Sequence, residues 1–204
     1  MLFETNLLDK VGAKKLLILL VIYWSCNPIH FLFAQNLIPN PSFEDHGTLP
    51  GFNMTSLPIS YCDIWTRPNL GSPDYFHNSY FSSTSNQIPR TGDAYAGFIA
   101  VNYGADGYRE YLHAPLLSPL KAGKQYCVIF YISLMDNNGK WTDDFGVYFS
   151  KGALNYSTTD SLPLIVPQVT NPDGNYISDK INWLPVSGTY TASGGENYIT
   201  IGIF

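Results

Sequence analysis

Several aromatic residues occur in segments that also carry polar side chains, a combination that suits the binding of a sugar ring. A flat aromatic ring can lie against the apolar face of a pyranose, while amides, carboxylates and guanidinium groups bind its hydroxyls. The candidate rings are Trp65, Tyr75, Phe76, Tyr80, Trp141 and Tyr156. The candidate polar companions are Arg67, Asp74, His77 and Asn78. The competing interpretation is that these rings fill a core or brace a loop.

Catalytic chemistry has less support in the sequence. Asp74 and His77 are close together in a predicted loop, with Ser72 and Ser79 beside them as hypothetical nucleophiles. The chain contains no Gly-x-Ser-x-Gly or His-Glu-x-x-His motif. A glycosidase would need two carboxylates at a defined separation. We therefore predict that the chain is not an enzyme and that Asp74 and His77 brace a loop.

The segment DNNGKWTDDFG, residues 136–146, has the composition of a calcium-binding loop. Its glycine, Gly139, is too early for an EF-hand loop, and no glutamate closes the segment. We therefore interpret it as a turn between strands, with Asp143 and Asp144 in solvent.

The composition predicts many short strands joined by turns, because 15% of the residues are aromatic, only 13% are charged, and 17 Gly and 14 Pro are spread along the chain. The two long segments 68–93 and 151–175, rich in Pro, Ser, Asn and Gly, are predicted to be loops that cannot form central strands. The predicted strands are 36–38, 42–44, 94–101, 108–112, 126–134, 145–150, 181–188 and 198–204. Their spacing is that of one β-sandwich domain over residues 35–204.

The amino terminus has the layout of a secretory signal peptide. Lys14 and Lys15 precede the apolar run LLILLVIYW, and cleavage after Ala34 would remove residues 1–34. Two alternatives are a retained membrane anchor formed by residues 16–34 and a lipid attached to Cys26. The formal charge of −5 and the lack of a basic patch argue against nucleic acid and anionic membrane surfaces as partners.

Removal of the leader would leave two cysteines, Cys62 and Cys127. An oxidising compartment would allow a disulfide between them. The alternative is that Cys127, which lies in the strand-like run QYCVIFYISL, is a buried free thiol.

A set of motifs resembles the galactose-binding-like jelly-roll domains of the carbohydrate-binding type. These motifs are NLIPNPSFE, GSPDYFH, TGDAYAG, YREYL, SPLKAGKQYCVIFYISL, FGVYFS and WLPVSGTYTASGGENYITIG, in that order. The set is similar to the amino-terminal domain of surface and outer-membrane proteins of Bacteroidetes, some of which continue into an OmpA-like or a type IX secretion sorting domain. The resemblance covers residues 36–204 and implies an all-β jelly-roll β-sandwich.

The resemblance also implies a structural calcium site, for which Glu44 and Asp93 match two of the ligand positions. The competing interpretation is that Glu44 caps a turn or faces solvent. Domains of this kind have one more strand after the ITIG motif, so we expect residues 35–204 to be an incomplete domain with an open edge near residues 198–204.

Together these observations predict a secreted or cell-surface protein at the outside of a Gram-negative bacterium, with carbohydrate binding as its activity. The alternative is a structural or adhesive domain of an OmpA-like outer-membrane protein whose partner is a protein, and a hydrolase is the third hypothesis. The expected partner is a glycan or a cell-surface protein. Membrane attachment is expected only through the leader or through a region beyond residue 204.

Overall fold

The described part of the protein is built almost entirely of antiparallel β-strands, which confirms the predicted all-β class. A computed structural model describes residues 35–49, 56–79, 85–100, 107–136 and 140–204. The chain divides into two units, Met1–Gln35 and Asn36–Phe204, and the strands described here belong to the second. The predicted signal peptide and Tyr80 lie outside the described residues. No helix within these ranges is long and apolar enough to cross a bilayer.

The strands form three sheets. In chain order they are β1 (Leu57–Pro58), β2 (Asp74–His77), β3 (Ala94–Gly97), β4 (Leu112–Pro115), β5 (Gln125–Ile132), β6 (Phe145–Ser150), β7 (Val169–Thr170), β8 (Leu184–Thr191) and β9 (Tyr198–Ile203). The sheet orders are β1-β2-β3, β4-β9-β6-β7 and β5-β8.

The core lies on one face of the four-stranded sheet. Because side chains alternate along a strand, Val147 and Phe149 of β6 and Ile199 of β9 all point to that face. Tyr75 of β2 packs into the same cluster, and Phe149 stacks on Tyr190 of β8 with ring centroids 5.3 Å apart. Both smaller sheets therefore cover the same face, which gives a sandwich-like arrangement.

The predicted strands agree with the structure best where hydrophobic alternation is long. β6 has the predicted bounds, β5 and β9 differ from theirs by at most two residues, and β8 begins three residues late. Residues 36–38 and 42–44 were predicted to be strands, but the first segment is irregular and the second lies in a turn. Asn40 and Phe43 adopt positive φ angles of 44° and 64°, and Phe43 N–H donates to the Asn40 carbonyl at 3.2 Å.

The prediction that residues 68–93 contain no central strand is wrong, because β2 lies between β1 and β3. Its two aromatic side chains are buried on opposite faces of the sheet. Tyr75 packs into the core, and Phe76 stacks on Tyr95 of β3 at 4.9 Å. Burial on both faces outweighs the surrounding turn-forming residues.

The strand predicted at residues 108–112 begins only at Leu112. Upstream of it, Tyr108 makes a single isolated bridge with Asp160, and the buried side chain of Glu110 binds neighbouring loops. An unpaired carboxylate is costly to bury, so the chain around Glu110 follows the geometry of its hydrogen bonds, and β4 begins only after it.

The open edge predicted near residues 198–204 is not found there. β9 is paired with β4 on one side and with β6 on the other. An interior strand has no free edge, so any open edge must lie elsewhere in the fold.

Both cysteines of the described region are free, so the structure does not contain the Cys62–Cys127 bridge. Cys62 is buried, and its Sγ accepts a hydrogen bond from Asn40 Nδ2 at 3.2 Å. Cys127 is exposed on the outer face of β5, contrary to the predicted buried thiol. Burial, together with the nearby Asp63 carboxylate, raises the pKa of Cys62 to about 12.

We expect iodoacetamide at pH 8 to alkylate Cys127 in the native protein and to leave Cys62 unmodified, because only the thiolate reacts and burial suppresses it at Cys62. Peptide-level mass spectrometry distinguishes the two sites. A urea-denatured sample, in which both should react, is the control. Labelling of neither cysteine before reduction and of both after it would show a disulfide.

The turn from β8 to β9 is organised by the buried carboxylate of Glu196. Tyr190 Oη donates to Glu196 Oε1 at 2.6 Å, Ser193 N–H donates to the same oxygen at 2.8 Å, and Gly194 N–H donates to Oε2 at 2.8 Å. Burial opposes the charged form, but these hydrogen bonds outweigh it and lower the pKa of Glu196 from 4.5 to about 2.

Glu196→Gln should lower the free energy of unfolding at pH 7 by about 1–3 kcal/mol, because it weakens charge-assisted hydrogen bonds at a buried site. Because the folded-state pKa is depressed, the contribution is present above pH 4.5 and is lost as the pH falls toward 2. Urea unfolding at pH 7 and at acid pH measures both effects. Asp173→Asn, at an exposed carboxylate, is the matched control. Equal stabilities of wild type and Glu196→Gln at pH 7 would contradict this assignment.

Candidate functional site

Two aromatic rings are exposed side by side at one end of the four-stranded sheet. Trp141 is 54% exposed and Tyr176 is 49% exposed, and their ring centroids lie 5.0 Å apart with the planes at 69°. Trp141 precedes β6 and Tyr176 follows β7, so paired neighbouring strands bring the two rings together. Trp141 was predicted as a candidate ring, whereas Tyr176 was missed.

The loops that carry the ring pair are hydrogen-bonded to each other. Asn171 Nδ2 donates to the carbonyls of Asp143 and Asn175 at 3.0 and 2.7 Å, and Gly174 N–H donates to Asp143 Oδ2 at 2.6 Å. Ile177 N–H donates to the Thr142 carbonyl at 3.1 Å. Because the bonds on both loops flank the rings, they hold Trp141 and Tyr176 in place.

Polar groups lie next to the ring pair in the sequence. Asp144 is exposed, and its Oδ2 accepts a hydrogen bond from Thr142 Oγ1 at 2.9 Å. Asn175 is also exposed. Of the two carboxylates predicted to be in solvent, Asp144 is exposed and Asp143 is half-buried. The site thus combines exposed rings with a carboxylate and an amide.

Three of the predicted rings belong to the interior. Trp65 is only 2% exposed, and its Nε1–H donates to the Asn40 carbonyl at 2.9 Å. Tyr75 and Phe76 are buried in β2, as described above. Tyr156 is half-buried beside Pro68, whose carbonyl accepts its N–H at 2.8 Å. A buried ring offers no face to a ligand, so the competing core interpretation applies to Trp65, Tyr75 and Phe76.

The predicted polar companions do not gather around a ligand site. Asp74 and His77 project from opposite faces of β2, because they are three residues apart in a strand whose side chains alternate between its two faces. The exposed Arg67 braces its own loop by donating to the Gly71 carbonyl at 2.6 Å. Asn78 Nδ2 donates to Asp93 Oδ1 at 3.3 Å.

The environments of Asp74 and His77 disfavour their charged forms. Burial raises the pKa of Asp74, and nearby Glu110 adds to the effect. Burial and the adjacent His46 ring lower the pKa of His77. Ser79 N–H donates to His77 Nδ1 at 3.0 Å, so in the neutral ring the proton is on Nε2. Ser79 Oγ also lies 2.8 Å from Nδ1, so both polar groups of Ser79 bind the His77 ring within one turn, whereas Asp74 lies on the other face of β2.

Glu44 and Asp93, the two predicted calcium ligands, are brought together. The Glu44 carboxylate accepts hydrogen bonds from Asp93 N–H at 3.1 Å and Ala94 N–H at 3.2 Å. Gly92 makes this approach possible with a φ of +62°, because a Cβ at this position would collide with the Glu44 carboxylate. Among the described residues no group of three or more His, Cys, Asp or Glu could hold a metal ion. The two N–H donors match the competing interpretation, in which Glu44 caps a turn.

We expect added calcium to leave the melting temperature unchanged relative to EDTA, because the Glu44 oxygens already accept backbone hydrogen bonds. Glu44→Gln should lower the melting temperature equally with and without calcium. Differential scanning fluorimetry measures both. A rise in the melting temperature of the wild type with calcium, abolished in Glu44→Gln, would restore the calcium assignment.

One buried acidic residue was not singled out from the sequence. Glu110 is 2% exposed and accepts hydrogen bonds from Ser72 N–H at 2.9 Å, Tyr108 Oη at 2.8 Å and Ile99 N–H at 2.7 Å. It ties together the loop before β2 and the two ends of the β3–β4 connection. In the sequence YREYL nothing distinguishes it from a solvent-facing strand residue.

No family model, curated protein or solved structure matches this chain. The geometry of the described residues therefore carries the functional argument.

Proposed function

We propose that this chain is a secreted or cell-surface noncatalytic domain that binds carbohydrate through Trp141 and Tyr176. The observation that carries the proposal is the exposure of two adjacent aromatic rings on hydrogen-bonded loops. Exposed large apolar groups that are held in place are typical of binding surfaces. Because the ring planes meet at 69°, one ring can support a sugar face while the other contacts its edge.

Polar groups near the rings suit the hydroxyls of a sugar. Asp144 can accept hydrogen bonds, and the Asn175 amide, which gives one N–H to Asn171 Oδ1 at 2.7 Å, can donate its second N–H and accept at its oxygen. Loops anchored to a sheet are the usual location for such groups, because the sheet fixes their positions.

The wider assignment rests on the sequence motifs. We propose a galactose-binding-like jelly-roll for residues 35–204, export by a signal peptide cleaved after Ala34, and location at the outer surface of a Gram-negative bacterium. The resemblance to Bacteroidetes surface domains supports each of these points.

A protein-binding role is the second candidate function. Ile88 and Ile181 are 76% and 81% exposed, and the main-chain carbonyls of both accept from Gln87 Nε2 at 3.4 Å. Exposed aliphatic side chains on two segments held together in this way suit a protein partner better than a glycan.

The test is a glycan-array screen of the wild type beside Trp141→Ala and Tyr176→Ala. We expect binding to a subset of glycans that weakens roughly tenfold or more in each variant, because truncation removes a stacking surface. Trp141→Phe, which keeps a smaller ring, should retain part of the affinity. Thermal unfolding verifies that each variant is folded, which these exposed positions favour.

Ile181→Ala is the matched control, because it removes an exposed apolar side chain outside the site. Glycan binding that survives in folded Trp141→Ala and Tyr176→Ala would exclude the ring pair. Absence of glycan binding by the folded wild type would favour the protein-binding role.

A further inference from the structure

Two strands that face the same core each have one unpaired edge. Among the described residues β3 pairs only with β2, and β5 pairs only with β8. The segment that leads into β3 lies beside the end of β5, since Arg90 lies 3.5 Å over the Tyr131 ring and Ser133 Oγ donates to Gln87 Oε1 at 3.2 Å. The layer that covers the four-stranded sheet therefore consists of two separate sheets, β1-β2-β3 and β5-β8, with a gap between the edges of β3 and β5.

The β5–β8 ladder shows which backbone groups of β5 point to the open edge. Ala192 N–H donates to the Lys124 carbonyl at 2.9 Å, and the Ala192 carbonyl accepts from Gly123 N–H at 2.9 Å, so the backbone groups at this end of the ladder face β8 at Lys124. Because the direction alternates along a strand, Gln125, Cys127, Ile129 and Tyr131 turn their backbone groups away from β8. Pro185 lies opposite Tyr131. Proline has no N–H to donate to a neighbouring strand, so its presence here agrees with a pair whose backbone groups point away from each other.

Proline marks the other two edges of these sheets. Pro185 lies on the far edge of β8. Pro58 lies on the far edge of β1, since the next residue, Ile59, donates its N–H to the Pro73 carbonyl at 2.9 Å. Proline on an edge strand prevents pairing with another strand. The edges of β3 and β5 contain no proline, so they keep their donors.

The edge of β3 has the same character. Asn78 N–H donates to the Asp93 carbonyl at 2.9 Å, so alternation turns the backbones of Ala94 and Ala96 outward. Glu44 accepts the N–H of Ala94, and no described residue accepts that of Ala96. A polar backbone group in an apolar layer needs such a partner.

The apolar residues between these edges are incompletely covered. Val128 and Phe130 of β5 point to the core but are only half-buried, and Ala96 of β3 is half-buried as well. Ile201 is half-buried although it lies in the middle of the interior strand β9. An interior strand in a closed sandwich would have its core-facing side chains buried.

We propose that the open edge of β5 binds one extended peptide strand of another polypeptide, which lies between β5 and β3. The strand pairs with the backbones of Cys127, Ile129 and Tyr131 and places alternate apolar side chains over Val128 and Phe130. Main-chain hydrogen bonds supply the affinity, as in other cases of β-strand addition. The apolar side chains of Val128 and Phe130 favour a peptide in which apolar and polar residues alternate. Only an extended strand can satisfy a row of donors and acceptors on a sheet edge.

The first test uses a fluorescein-labelled peptide in which Thr alternates with Val and Ile, with Lys at each end, added to the full-length chain. Two control peptides have the same composition: one is N-methylated at alternate backbone amides, and one has its apolar residues grouped together. We expect saturable binding by anisotropy and slower hydrogen exchange at the amides of Cys127, Ile129 and Tyr131. Each control should bind at least about tenfold more weakly.

The second test uses a matched pair of substitutions. Ile129→Pro removes an outward N–H from the edge of β5, and Ser187→Pro removes one from the far edge of β8, directly across the ladder. We expect Ile129→Pro to weaken peptide binding about tenfold or more and Ser187→Pro to leave it unchanged.

The two control peptides are tested on the wild-type protein. They therefore test the proposal even if Ile129→Pro does not fold. Equal binding of the N-methylated peptide, or unchanged exchange at the β5 amides, would overturn the proposal. Slow exchange at those amides without peptide, together with a dimeric mass in solution, would assign the edge to a second copy of the chain and would also overturn it.

Discussion

The pairing of β9 on both sides is the interaction on which the rest of the fold depends. Hydrogen bonds to β4 and β6 fix its register, and that register sends Ile199, Ile201 and Ile203 to the core face. Thr200 points to the other face and is also buried, where its hydroxyl contacts His113 Nδ1 at 2.9 Å. Leu154 N–H donates to His113 Nε2 at 3.2 Å, so Nδ1 carries the proton of the neutral ring. Burial lowers the pKa of His113 to about 4, which keeps that ring neutral at physiological pH.

This sheet also explains why the ring pair is well positioned. β6 is paired with β9 along its length, and its other edge holds the short strand β7. The loops that precede β6 and follow β7 therefore start from neighbouring points on one sheet edge, and Asn171 joins them. A binding surface formed in this way loses little conformational entropy when a ligand arrives, because its loops are already ordered.

The sequence predicted those features that depend on local pattern, and missed those that depend on distant partners. Long alternation identified β5, β6 and β9, and composition identified the all-β class. β2 was missed because its four residues gain their stability from rings on both faces, which are contributed by other segments. Trp141 was found by its type and its loop context, but Tyr176 was not, because only the β6–β7 pairing brings it to Trp141. Sequence also cannot separate an exposed ring from a core ring, so Trp65 and Trp141 received the same interpretation.

Two different physical demands distinguish the ring pair from the β5 edge. At Trp141 and Tyr176 an apolar surface is left in water, and any flat apolar face of suitable size reduces that cost. At β5 the unmet groups are backbone donors and acceptors, which are directional and repeat with the period of a strand. A sugar can cover the rings but cannot pair with a sheet edge, and an extended peptide can do the reverse. The two surfaces therefore select different classes of partner, and occupation of one need not exclude the other.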